Sequence, residues 1–187
     1  MSKEIYQLKI TARYITPIIS RTILVPSDIT FLDLHYIIVE LFGFDGEHLF
    51  AFNITSDYRT QISNGTEGTK DASKIKLFEN FKTLKSIDYT YDFGDNWEFI
   101  VTLQNAVKPD SEAQYPQCIK WEAGMLLEDC GGEEIYQIIA NWCRTKTEEN
   151  EQKLVDVYNG DETILEEYAN FNPDKFDPNK INFRKTF

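Results

Sequence analysis

Only two histidines (His35 and His48) and three cysteines (Cys118, Cys130 and Cys143) occur among 187 residues. The cysteines are odd in number and form no C-x-x-C pair, so neither a disulfide framework nor a zinc ribbon fits. No apolar run approaches the roughly 18 residues that a membrane-spanning helix needs. The start of the chain, Met1-Ser2-Lys3-Glu4-Ile5-Tyr6, has no apolar signal core. These absences predict a cytoplasmic protein with no membrane partner. Positive charge is also scarce. Nineteen Lys and Arg stand against 31 Asp and Glu, a formal net charge of −12. Grip on a phosphate backbone depends on Lys and Arg, so nucleic acid is not the expected partner. Internal repeats and a domain linker are missing too, which predicts one domain over 1–187.

What is present is aromatic and patterned. Thirteen Phe, ten Tyr and three Trp are too many for a disordered acidic chain. Residues 5–15 alternate in polarity, and a second apolar run from Ile18 to Val25 follows Pro17, which predicts a β-hairpin. Thr30, with Asp33 three residues on, reads as a helix start, and Phe31, Leu34, Ile38 and Leu41 recur at helical spacing up to the stop at Gly43. A third strand is expected over 48–54, a polar loop over 55–73 and a short helix within 75–84. Ile87, Tyr89, Tyr91 and Phe93, then Trp97, Phe99, Val101 and Leu103, flank Gly94-Asp95-Asn96 and predict a second hairpin. The ladder Tyr89, Tyr91, Phe93, Trp97 and Phe99 reads as cross-strand core packing, since a base-stacking platform would need a positive groove. After Gly131-Gly132, the residues Ile135, Ile138, Ile139 and Trp142 mark the buried face of a helix, and two more helices are expected over 148–158 and 162–170.

Strands in 5–107 followed by helices in 132–187 make an α+β pattern. The expected architecture is a mixed or antiparallel sheet with a hairpin–helix–strand, β-grasp-like core and a helical C-terminal half packed on it. Residues 128–167 hold twelve acidic and three basic side chains, so most of the excess charge lies there. Such a stretch is either a solvated helical face or a contact for a protein partner with a basic surface.

Chemistry-bearing residues are few. Asp92, Asp95 and Trp97 lie at the hairpin turn, Glu128 and Asp129 precede Gly131-Gly132, and His35 and His48 are the only imidazoles. Carboxylates with imidazole are ligands for a divalent metal, with His48, Asp92 and Asp95 the candidate set. The plain alternative is that Asp and Asn hydrogen-bond their own turns, Glu-Asp caps a helix, and the histidines are satisfied core or rim groups. No organic cofactor is expected. Cys130 would need a nearby base to act as a nucleophile.

A series of short blocks runs through the chain in order. Val25-Pro26, Asp28-Ile29-Thr30, Leu34-His35, Phe42-Gly43 and His48-Leu49 come first. Tyr91-Asp92-Phe93-Gly94-Asp95-Asn96-Trp97-Glu98, Tyr115-Pro116 with Cys118, and Glu128-Asp129-Cys130-Gly131-Gly132 with Tyr136 follow. Together they resemble the plasmid open-reading-frame-three-like family, first named from a root-inducing plasmid, over about 5–183. The resemblance implies kinship with bacterial and archaeal proteins that have no established activity, some of them labelled transposon passenger or resolvase-like. The chain departs from the family pattern at Phe44, where Trp is usual, and at Phe99, where His is common. It departs again at Leu126-Leu127, where Pro-Pro is usual, and at Cys130, where an aliphatic residue is usual. A serine recombinase needs a Ser among activating arginines, whereas Arg13, Arg21, Arg59 and Arg144 are scattered along an acidic chain. The expected function is a non-catalytic binding or adaptor module. The alternatives are a metal-dependent enzyme using the clustered acids and His, and a partner in mobile-element DNA transactions.

Overall fold

The computed structural model of the chain describes residues 4–55, 57, 60–64 and 67–183. The expected absence of a signal core at Met1–Lys3 therefore lies outside the described residues. Strands β1 (Ile5–Ala12) and β2 (Ser20–Pro26) form the expected antiparallel hairpin. Helix α1 (Phe31–Phe42) follows. Its start is a capping box: the Thr30 hydroxyl accepts from Asp33 N at 3.1 Å, and the Asp33 carboxylate accepts from Thr30 N at 2.7 Å. Gly43, at φ 88°, closes the helix in the left-handed conformation that glycine adopts without penalty.

Strand β3 (Phe50–Asn53) leads into the polar segment read as a loop. The structure corrects that reading in part. Two short strands, β4 (Ile62–Ser63) and β5 (Lys70–Asp71), extend the sheet, while residues 56, 58, 59, 65 and 66 lie outside the described residues. Helix α2 (Leu77–Phe81) precedes the hairpin of β6 (Ser86–Tyr91) and β7 (Trp97–Val107). An eighth strand, β8 (Gln117–Glu122), has no counterpart in the sequence reading. Helices α3 (Gly132–Thr145), α4 (Glu148–Val157) and α5 (Thr163–Tyr168) complete the chain with a 3-10 turn at Pro178–Lys180.

The eight strands form one sheet in the order β5-β4-β3-β6-β7-β1-β2-β8. Every pairing is antiparallel except β4 with β5, so the sheet is mixed and the fold is α+β. The two hairpins join through β1 and β7, which sets Ala12 opposite Phe99. Helix α1 crosses one face of the sheet. Phe31 meets Phe52 with ring centroids 4.9 Å apart, and Phe42 meets Phe99 at 4.7 Å. Residues of the helical half share this core, among them Tyr136, Ile139, Leu154 and Ile164.

Four aromatics of the expected ladder are buried, but Phe93 is half exposed because the chain leaves the strand at Asp92, where φ is 55°. The buried face of α3 also differs from the periodicity reading. Tyr136, Ile139, Ala140 and Trp142 are buried, whereas Ile135 and Ile138 are only half-buried. Each of α4 and α5 buries a single residue, Leu154 and Ile164, so these two helices leave most of their acidic side chains exposed. Among the described residues, no helix is long and apolar enough to cross a membrane.

Candidate functional site

Three segments bring polar side chains together at one end of the sheet. The first follows the Gly43 stop of α1, where the chain turns through Asp45 and Gly46 to His48. The second is the exit of β6, where Asp92 N donates to Leu49 O at 2.9 Å and fixes the 92–94 turn beside the start of β3. The third is the 128–132 turn ahead of α3. His48 is the hub. Its Nδ1 lies 3.5 Å from Asp92 Oδ1, and its Nε2 lies 3.2 Å from Asp129 Oδ1 and 3.9 Å from Glu128 Oε1. Two sets of three side chains can each offer donor atoms within 4.8 Å of one another: Asp45, His48 and Glu128, and His48, Asp92 and Asp129.

The cluster is held from behind. The Tyr91 hydroxyl donates to Glu128 Oε1 and accepts from Gly46 N at 3.1 Å. Glu128 Oε2 accepts from Asp45 N at 2.6 Å. Phe44 stacks on Tyr91, with centroids 4.7 Å apart, and closes the apolar side of this wall. Burial raises the Glu128 carboxyl above its ordinary range, against the Tyr91 hydrogen bond that lowers it, and burial with that same bond pushes the Tyr91 phenol up.

Asp92 and Asp129 both sit at φ 55°, a region that few non-glycine residues occupy and in which Asp is tolerated. Gly94 N caps Asp92 Oδ1 at 2.9 Å, so one Asp92 oxygen stabilises its own turn while facing the imidazole. Among the described residues, no Lys or Arg nitrogen lies within 4 Å of the Asp45, Asp92, Glu128 or Asp129 carboxylates. Four carboxylates thus share one imidazole and no permanent cation.

The other residues singled out from the sequence do not join the hub. His35 is 2% exposed, stacks on Phe50 with centroids 3.7 Å apart, and hydrogen-bonds Tyr89 OH through Nδ1 at 2.8 Å. Its surroundings are those of a satisfied core histidine. Trp97 is buried between Phe44 and Tyr136, at 5.7 and 5.9 Å between ring centroids. Asp95 turns away to accept from Gly131 N at 3.1 Å and so ties the hairpin turn to the α3 turn. Asp45 and the Tyr91 hydroxyl, by contrast, belong to the cluster and were not picked out from the sequence. The only trace of Asp45 there is its place between a helix stop and His48. Cys130 is buried beside Gly132, and burial pushes its thiol up to about 12, which suits packing rather than nucleophilic attack.

The Asp95 tie depends on Gly132. Its φ is 83°, and a Cβ there would collide with the Asp95 carbonyl oxygen. Gly132→Ala is therefore expected to cost about 2 kcal/mol, from the left-handed strain plus the forced separation of the two turns. A urea unfolding midpoint equal to that of the unsubstituted protein would contradict this.

Comparison with other proteins gives a consistent result. The profile of the plasmid pRiA4b ORF-3-like proteins matches residues 4–180. The uncharacterized protein y4hQ of Sinorhizobium fredii is 27% identical over 140 residues, which cover 73% of this chain and 72% of that protein. The crystal structure of MM3350, a protein of unknown function from Methanosarcina mazei, superposes with a TM-score of 0.77 at 29% identity. That match covers 97% of this chain and 99% of the other.

Proposed function

The chain belongs to the plasmid pRiA4b ORF-3-like family, and on that premise we propose that it is a binding module that works with a divalent cation held at His48. The observation that carries this reading is the convergence of acids from two distant turns, Asp92 and Glu128-Asp129, on both nitrogens of one imidazole. Like charges this close repel, and a divalent cation is the species that relieves the repulsion while using the imidazole lone pair. One nitrogen with several carboxylate oxygens suits Mn²⁺ or Zn²⁺ better than a soft metal. Asp129 is largely exposed and His48 is one-third exposed, so a bound ion would keep positions for water or for an oxygen of a partner.

A metal-dependent enzyme is the second reading, favoured by Glu128. Its carboxyl is raised by burial and fixed by Tyr91 and Asp45 N, the arrangement wanted of a group that exchanges a proton with metal-bound water.

Calorimetric titration of metal-stripped protein with MnCl₂ and ZnCl₂ tests both readings. One saturable site is expected. His48→Ala and Asp92→Asn should each weaken it about tenfold or more, a range usual for ligand loss. Asn keeps the left-handed turn at position 92, so the second variant should fold normally. Absence of saturable binding by either metal, or unchanged affinity in His48→Ala, would end the proposal.

A further inference from the structure

We infer that a second site, separate from the His48 cluster, binds a small organic anion with an apolar body. It is the cavity between the C-terminal end of α1 and the tail segment 175–181. Its volume is about 470 Å³, within the range that encloses small-molecule ligands. The apolar surface comes from Phe44, Met125 and Ile181. Gly43 also lines it, and a Cβ there would come within 2.6 Å of Met125 Cε, so the glycine lets the methionine lie across the helix end.

The charge of the ligand follows from the groups around the cavity. Lys175 and Lys180 rise from the tail, and among the described residues neither has an ion-pair partner. Two acids oppose them. Glu40 comes from α1, and the Asp177 carboxylate already accepts from Asn179 N at 3.0 Å and Asn179 Nδ2 at 3.1 Å.

Arg21 tips the balance. Its guanidinium is fully buried and meets only carbonyl oxygens: Leu41 O at 3.3 Å, Ser20 O at 2.9 Å, Glu122 O at 3.1 Å, and Gly124 O. Phe176 covers it at 3.8 Å. Leu41, Gly124 and Phe176 are chain neighbours of the cavity-lining Glu40, Met125, Lys175 and Asp177. A buried positive charge without a carboxylate partner is thus held against residues whose chain neighbours line the cavity. A low-dielectric surrounding screens it little, so the cavity favours an anion. The apolar wall selects one that carries a hydrocarbon or aromatic body.

Titration of metal-free protein with 1-naphthyl phosphate, against 1-naphthylmethylamine as the matched cation, tests the assignment. Saturable binding of the phosphate and none of the amine is expected. Both lysines are exposed, so the double variant Lys175→Gln/Lys180→Gln should melt at the same temperature and bind the phosphate about tenfold more weakly, a difference of about 1.4 kcal/mol. Ile181→Trp, which fills the cavity, should abolish binding. His48→Ala should leave it intact, which separates this site from the cation site. No saturable binding of the phosphate, equal or tighter binding of the amine, or an affinity indifferent to the lysines would overturn the inference.

Discussion

Arg21→Met is expected to destabilise the protein by about 3–5 kcal/mol, although methionine nearly preserves the volume. Exchanging a buried ion pair for apolar residues is often neutral, because both charges go. Arg21 is different, since its partners are backbone carbonyls and those remain. Leu41 O is an orphan acceptor at the end of α1, where no basic residue occupies the last turn, and Arg21 reaches it from β2. Glu122 O ends β8, and Gly124 O lies in the segment that leads on to the site. Each carbonyl left buried and unpaired costs about 1–3 kcal/mol. Arg21→Lys should recover only part of the loss, because a point ammonium cannot span a fork of carbonyls set by a planar guanidinium. Urea midpoints of the two variants check this, and a methionine variant as stable as the parent would refute the clasp.

Stability should also fall steeply with acid because of His35. Burial lowers its pKa from 6.5 to about 3. The unfolded chain then binds a proton that the folded protein refuses at every pH between those values. The contribution is complete above about pH 6.5, declines as pH falls, and levels off below about pH 3. Its full size is on the order of 5 kcal/mol, of which about 3 should be gone by pH 4. Glu128, whose carboxyl is raised, acts with the opposite sign: what it adds at low pH is lost as pH rises through its folded pKa. Comparison with His35→Asn isolates the histidine, since the Asn oxygen can take the place of Nδ1 toward Tyr89. Urea unfolding at pH 7 and pH 4 should show a much smaller difference for the variant. An unchanged difference would place the acid sensitivity elsewhere.

The parts of the fold legible in the sequence were those with a local cause. Thr30 with Asp33 and Gly43 bounded α1 because caps act within a turn. Tyr89, Tyr91, Trp97 and Phe99 marked the central hairpin because a half-buried strand must alternate. Strand β8 was illegible because it is an edge, with Ile119, Lys120 and Trp121 all exposed, so no burial pattern is imposed on it. The short β4 and β5 were illegible because two residues carry no period.

The candidate site divides along the same line. Asp92, Glu128, Asp129 and His48 were readable as chemistry-bearing residues, because carboxylates and imidazole are the side chains that hold a divalent cation and His occurs only twice in the chain. Which of them meet was not readable. Asp95 and Asp92 are three residues apart, yet one faces His48 and the other Gly131, because the turn between them reverses the chain. His35 and His48 are equally plausible as letters. One helix face puts the first under Phe50, and the approach to the start of β3 puts the second at the surface.

By itself the sequence determined the ends of α1, the two hairpins and the α+β class, which are fixed by interactions between near neighbours, and the acidity of the second half, which is composition alone. Only the tertiary structure decided that β1 joins β7 and that Arg21 ties β2 to the end of α1. It alone brought acids from positions 92 and 128–129 to one imidazole. Those contacts join residues many turns apart, and their energy depends on packing and burial that no short window of sequence contains.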